Sequence, residues 1–194
     1  LRASAYGNIR IMLPMIVSLI EIRKSKELIE EVKKELSKEN IAFNKDIEVG
    51  IMVETPAAAV STDILGKECD FFSLGTNDLI QYTTAVDRGN DKISHLYTEY
   101  NPGVMRLIAN TVNNAKKNNI FVGMCGEVAQ NKYMIPFLIG LGLDEFSVSP
   151  TAILPTRKLI SELSYKELKE KVPEILNLET SDEVFNYLKN LISE

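Results

Sequence analysis

The stretch DFFSLGTNDLIQYTTAVDR, residues 70–88, decides how this chain folds. A buried-strand run, Phe71-Phe72-Ser73-Leu74, stops at Gly75; Thr76-Asn77-Asp78 follow, and then an apolar segment resumes. That is a strand handing polar groups to a loop and then to a helix start. Asn and Asp favour capping at such a start, and the free N–H groups there suit an anion. Ten positions past Asp78 comes Arg88, a fixed cation able to fork onto a phosphate or a carboxylate. One short segment therefore offers a carboxylate, an amide, backbone donors and a guanidinium. An ordinary capped strand–helix turn with a surface Arg would use the same residues.

Working outward, the same strand–loop–helix rhythm recurs on both sides. Residues 9–15 (IRIMLPM) read as a buried strand with one Arg. Ser18-Leu19-Ile20-Glu21 is a capping box opening an amphipathic helix to about Asn40. Residues 49–53 are a second strand ending at Glu54, and Thr55-Pro56 supplies an N-cap with Pro at the first helical position. Asn101-Pro102 repeats that arrangement for a helix to about Asn118. Residues 120–124 are the fourth strand, ending at Cys125-Gly126-Glu127. A helix over residues 133–141 stops at Gly142, and residues 145–148 are the fifth strand. After Pro155 the pattern is helical only, with capping boxes at Ser164-x-x-Glu167 and Thr180-x-x-Glu183 for two terminal helices.

Short apolar strands alternating with helices imply an α/β fold with a parallel sheet covered by helices. A β/α barrel and an open doubly wound sheet both fit. Glu54, Asp78 and Cys125 each sit just past a strand's C-terminal end, which in a barrel is the mouth where chemistry collects. A TIM (β/α)8 barrel needs eight strands; with about five βα units here, residues 1–194 are expected to be its C-terminal part, with extra C-terminal helices. The chain starts at Leu1, inside what reads as a helix tail, and is expected to be a piece of something longer.

Bulk properties narrow the function. With 194 residues and 45% apolar content the chain can bury a sizeable core, and its net charge of −5 argues against nucleic acid as main partner. The longest apolar run, near residues 135–143, is too short to span a bilayer. Cys69 and Cys125 lie far apart and His95 is the single histidine, so a zinc site is not expected. Cys69 and His95 read as structural, and a reducing cytoplasmic location is expected.

Glu54, ending a buried strand, must be paired, protonated or metal-bound. An ion pair with Arg10 or Arg88 would satisfy it. So would a divalent cation shared with Asp78, which lies at the matching level of the next strand. Oxygen ligands with a substrate phosphate suit Mg²⁺ or Mn²⁺. Cys125 sits between glycines that let a ligand approach.

The motifs GIMVETPAA (residues 50–58), FFSLGTNDLIQYTTAVDRGN (residues 71–90) and GMCGE (residues 123–127) resemble the phosphoenolpyruvate-binding barrel of enzyme I. This family is the phosphoenolpyruvate–protein phosphotransferase of the bacterial sugar phosphotransferase system. The similarity runs from LRASAYG to the terminal helices. Pyruvate phosphate dikinase and phosphoenolpyruvate synthase share GTNDL-like and CGE-like motifs and stand as the alternative, beside a non-catalytic dimerisation or regulatory module.

The resemblance implies that Glu54 and Asp78 hold Mg²⁺, that Asn77, Asp78 and Arg88 bind the phosphate, and that Cys125 protonates the enolate to give pyruvate. It implies a homodimer, and phosphoryl transfer to an acceptor histidine and then to the phosphocarrier protein HPr. That histidine's domain and the earlier barrel strands are not in these residues, so the piece alone is expected to be inactive. Where the family often continues GMCGE with Gly-Asp, this chain reads Val128-Ala129-Gln130-Asn131. Glu127 is left as an expected neighbour of the thiol.

Overall fold

A computed structural model describes residues 1–193. Five strands, β1 (Ile11–Leu13), β2 (Val49–Val53), β3 (Phe71–Gly75), β4 (Phe121–Cys125) and β5 (Glu145–Phe146), form one parallel sheet in the order β1-β2-β3-β4-β5. That order decides between the two expected architectures. A doubly wound sheet reverses direction at a switch point, whereas a β/α barrel adds each strand beside the last. Here the progression never reverses, so the chain is a partial barrel with its strand ends on one rim.

The connecting helices are α1 (Leu19–Lys38), α2 (Pro56–Val60), α3 (Thr62–Leu65), α4 (Thr76–Thr84), α5 (Pro102–Lys117) and α6 (Met134–Leu141). Their starts follow the capping chemistry. The Glu21 carboxylate accepts from the backbone N–H groups of Val17 and Ser18 at 2.8 and 2.9 Å, which holds it below the usual carboxylate range. Thr55 Oγ1 accepts from Ala58 N–H at 3.1 Å, and Asn101 Oδ1 from Gly103 N–H at 2.8 Å. Pro56 and Pro102 follow these caps at the first helical position, where no N–H is missed.

Alternate strand residues enter the core. Ile51, Val53, Phe72, Leu74, Val122 and Met124 are all fully buried, packed with Leu79, Met105, Ile108 and Phe137 from the helices. Burying side chains of this size contributes about 1.5–3 kcal/mol each. The intervening residues form the concave face of the sheet, where Arg10, Met12, Phe71, Ser73, Phe121 and Cys125 help line a cavity of about 380 Å³.

Register is held by a device used twice. Asp70, just before β3, accepts from Val49 N–H at 2.7 Å and donates its own N–H to Val49 O at 3.0 Å. Asp144, just before β5, does the same to Val122 at 2.9 and 3.0 Å. Because side chains alternate along a strand, a slip of one residue would turn every site group to the wrong face. These carboxylates lock the strands at one end and so set what lies side by side at the other.

Several elements differ from expectation. β1 spans three residues, not seven, because Pro14 has no N–H to offer a ladder and Met15 turns to φ 53°. β3 runs on through Gly75 into α4 with no intervening loop, and no side chain caps α4. Three terminal helices follow Pro150, not two: α7 (Ile153–Glu162), α8 (Tyr165–Leu176) and α9 (Ser181–Ser193). Pro155 lies in the first turn of α7, where proline is tolerated. At Thr180 the expected capping box closes: Thr180 Oγ1 accepts from Glu183 N–H at 3.2 Å and Glu183 Oε2 from Thr180 N–H at 3.0 Å; at Ser164 only half of it forms, Ser164 Oγ accepting from Glu167 N–H at 3.5 Å. α9 buries Val184 and Leu188 completely, and Phe185 meets the Tyr100 and Tyr133 rings edge-on at 5.1 and 5.4 Å.

Candidate functional site

Gly75 is the junction of the site. It pairs in register with Cys125 on β4, and on its other side it lies against Glu54. A Cβ built at Gly75 would stand 2.9 Å from Glu54 Oε2 and 2.8 Å from Glu54 Cβ. Only glycine lets that carboxylate lie across the strand end. The next three residues, Thr76-Asn77-Asp78, form the first turn of α4. The register therefore gathers Glu54, Cys125 and the α4 N-terminus around one backbone atom.

Glu54 is 5% exposed. Its Oε1 accepts from Met15 N–H at 2.7 Å, so the left-handed turn after β1 delivers a donor to it. Neither expected arginine pairs with it. Arg10 pairs with Glu48 and lies over the Phe71 and Phe121 rings at 5.5 and 5.6 Å, at the strands' opposite end. Arg88 makes no ion pair among the described residues. Glu54 is thus a buried carboxylate with a backbone donor and no cationic side chain paired to it among the described residues.

Asn77 does not cap α4; it ties loops together. Its Oδ1 accepts from Glu127 N–H at 3.3 Å, and its carbonyl accepts from the Tyr97 hydroxyl at 3.0 Å. With Oδ1 engaged, the amide N–H groups remain as donors. Asp78 is half-buried in the same turn, where a negative side chain complements the helix dipole. Gly126, at φ 101°, follows Cys125; a Cβ there would sit 2.5 Å from Thr76 Oγ1, which donates to Cys125 O at 3.1 Å. Glycine is required on both counts.

The Cys125 thiol is half-buried. Ser73 Oγ donates to it at 3.7 Å, and the thiol donates to Leu74 O at 3.6 Å. The expectation that Glu127 partners the thiol is corrected: Glu127 is exposed and its backbone serves Asn77. Cys69 is the packing cysteine, 6% exposed, its thiol pushed up to about 12 by burial. Arg88 and His95 stand on an exposed arm between Val86 and Tyr97. His95 is solvated there, not packed.

Residues 1–165 match the family model described as PEP-utilising enzyme, PEP-binding domain. The chain belongs to that family. The chain is 51% identical over 189 residues to the phosphoenolpyruvate-protein phosphotransferase of Bacillus subtilis, covering 97% of this chain and 33% of that protein. To the enzyme of Priestia megaterium it is 48% identical over 190 residues, covering 98% and 33%. To that of Staphylococcus aureus it is 45% identical over 192 residues, covering 99% and 34%. The chain thus spans about a third of the length of these curated relatives. In fold it is similar to a solved citrate lyase from Burkholderia xenovorans, with TM-score 0.57 and 14% identity over 99% of this chain and 65% of that one. This likeness concerns architecture alone.

Within the family's phosphoenolpyruvate-binding domain, two groups escaped the sequence reading. Ser73 looked like one strand residue among others, since nothing local says which face it takes. Tyr97 lies twenty positions past Asn77 in a stretch without periodicity, and only the return of the chain brings its hydroxyl to α4. No helix among the described residues is long and apolar enough to cross a membrane.

Proposed function

We propose that this chain forms part of the phosphoenolpyruvate-binding barrel of a phosphoenolpyruvate–protein phosphotransferase. Residues 1–194 belong to one domain, and the whole enzyme passes the phosphoryl group to its own histidine and then to HPr, releasing pyruvate. The observation that carries this is the Gly75 junction, where a buried carboxylate, a thiol and an uncapped helix start meet. The free N–H groups at the α4 N-terminus, the Asn77 amide and Arg88 hold the phosphate, each donating to its oxygens.

Glu54 and Asp78 would hold Mg²⁺ or Mn²⁺. The donors are hard oxygens, and Glu54 is buried without a cationic partner. No group of three or more Asp, Glu, His or Cys residues among the described residues is arranged to hold a metal ion by itself, but Mg²⁺ is commonly held by one or two carboxylates plus substrate phosphate. A metal held there would supply positive charge against the phosphoryl oxygens. In the transfer the P–O bond to the enol oxygen breaks and a P–N bond to the histidine forms. Cys125 gives its proton to the enolate's methylene carbon, making the methyl group of pyruvate. The Ser73 hydroxyl then donates to the thiolate until solvent returns the proton.

The 45–51% identity to phosphotransferases along nearly the whole chain favours this over a dikinase or synthase. Radiolabelled phosphoenolpyruvate, given to the full-length protein with Mg²⁺ and HPr but no nucleotide, is expected to label a histidine of the enzyme and then HPr. Pyruvate should appear in equal amount. Label that stays on the histidine in the presence of HPr and leaves it only for an added adenine nucleotide would assign the dikinase or synthase class, and no labelling under either condition would leave a scaffold.

A further inference from the structure

Arg88 reaches its place in an unusual way. α4 ends at Ala85 in the left-handed conformation, Val86 is buried at 3% exposure, and the chain then leaves the body. Residues 87–92 are all exposed, and Ile93 alone is half-buried before Tyr97. The arm closes on itself through turns. Gly89 N–H donates to Asp87 Oδ1 at 2.8 Å, Lys92 N–H to Asn90 Oδ1 at 3.1 Å, and Tyr97 N–H to Ser94 O at 3.0 Å. Its near end is fastened to α4 by Val86 N–H to Gln81 O and Arg88 N–H to Gln81 Oε1, at 3.1 and 3.2 Å. Its far end is fastened by the Tyr97 hydroxyl, which donates to Asn77 O at 3.0 Å.

The Tyr97 phenol does not stand in a neutral place. Burial raises its pKa first, Arg88 opposes that, and Glu127, Asp78 and Glu99 add to it. Its oxygen therefore lies within electrostatic reach of Arg88 on the arm and of Asp78 in the α4 turn. The Asn77 amide is held from a third direction by Glu127 N–H.

We infer that Tyr97 is a positioning residue: its hydroxyl pins the Arg88 arm to the first turn of α4, so that guanidinium and helix N-terminus face the same phosphate. This rests on the function proposed above. It adds a residue that touches no substrate and acts by keeping the arm in the binding-competent state. Without the pin, part of the population holds Arg88 away, and apparent affinity falls by that fraction while bound substrate reacts as before. A single intramolecular hydrogen bond is worth about 0.5–1.5 kcal/mol, so the loss is about 2- to 12-fold.

The test compares Tyr97→Phe, Arg88→Ala and the double variant in the full-length protein. Tyr97→Phe is expected to raise KM for phosphoenolpyruvate about 2- to 12-fold with kcat within twofold. It should add nothing once Arg88 is Ala, which a merely structural role would not do. Trypsin should also cut after Arg88 and Lys92 faster in Tyr97→Phe than in wild type, a readout independent of activity. If Arg88→Ala raises KM and Tyr97→Phe leaves both KM and tryptic cutting unchanged, the pin is wrong and the phosphate site stands. Additive effects in the double variant overturn it equally. If Arg88→Ala itself leaves KM unchanged, the phosphate site falls, and the pin with it.

Discussion

Asp78→Asn in the full-length protein is expected to raise the Mg²⁺ concentration needed for half-maximal turnover by about 10- to 100-fold or more. Even residues that only orient metal ligands cost that much when changed, and Asp78 is proposed as a ligand itself. The substitution keeps size and shape but removes a charge. In the first turn of α4 the lost carboxylate also gives up its interaction with the helix dipole, about 0.3–1 kcal/mol. Folding should barely respond, because Asp78 is half-buried and its carboxylate carries none of the hydrogen bonds that hold α4 to its neighbours. Activity against Mg²⁺ concentration, with thermal unfolding alongside, separates the two effects. An unchanged Mg²⁺ requirement would remove Asp78 from the metal site.

Cys125→Ala is expected to slow pyruvate formation about 10²–10⁴-fold, the usual worth of a positioned acid. Phosphoenolpyruvate should bind about as before, since the thiol donates to Leu74 O and accepts from Ser73, leaving the phosphate groups alone. Cys125→Ser is the sharper variant. A serine hydroxyl can keep both hydrogen bonds and nearly the same volume, but it is a far weaker acid than a thiol. If Ser restores the rate, Cys125 serves packing; if Ser is as slow as Ala with binding intact, the thiol is the proton source. Pyruvate release followed by a coupled assay, beside equilibrium binding, reads both quantities.

The architecture was legible wherever local chemistry spoke for itself. β2 kept its expected bounds because a fully buried parallel strand is a continuous apolar run, and Thr55-Pro56 and Asn101-Pro102 carry their own helix starts. The candidate site was legible as strand ends: Glu54 and Cys125 each follow an apolar run directly, and Asp78 comes three residues past the Gly75 that closes β3. What adjacent residues cannot reveal is partnership across the sheet. The Glu54 bond to Met15 N–H joins positions 39 apart, and the Ser73–Cys125 contact joins positions 52 apart. Arg10 looked equally available to Glu54 until the strand direction put it at the other end, with Glu48. Asn77 looked like a helix cap by residue type, but β3 runs straight into α4, which places it inside the first turn. Tyr97 gave no sign, because its role depends on where a non-periodic arm returns.

The proposal that Glu54 and the α4 turn, gathered around Gly75, form one metal-dependent phosphate site is tested most directly by calorimetry. Phosphoenolpyruvate is titrated into the full-length protein with Mg²⁺, with chelator, and with Mg²⁺ in the Glu54→Gln variant. The substituted side chain can still accept the Met15 N–H but brings no charge. Tight binding with Mg²⁺ alone, weakened at least about tenfold both by chelator and by Glu54→Gln, is the expected result. Equal affinity in all three titrations would contradict it.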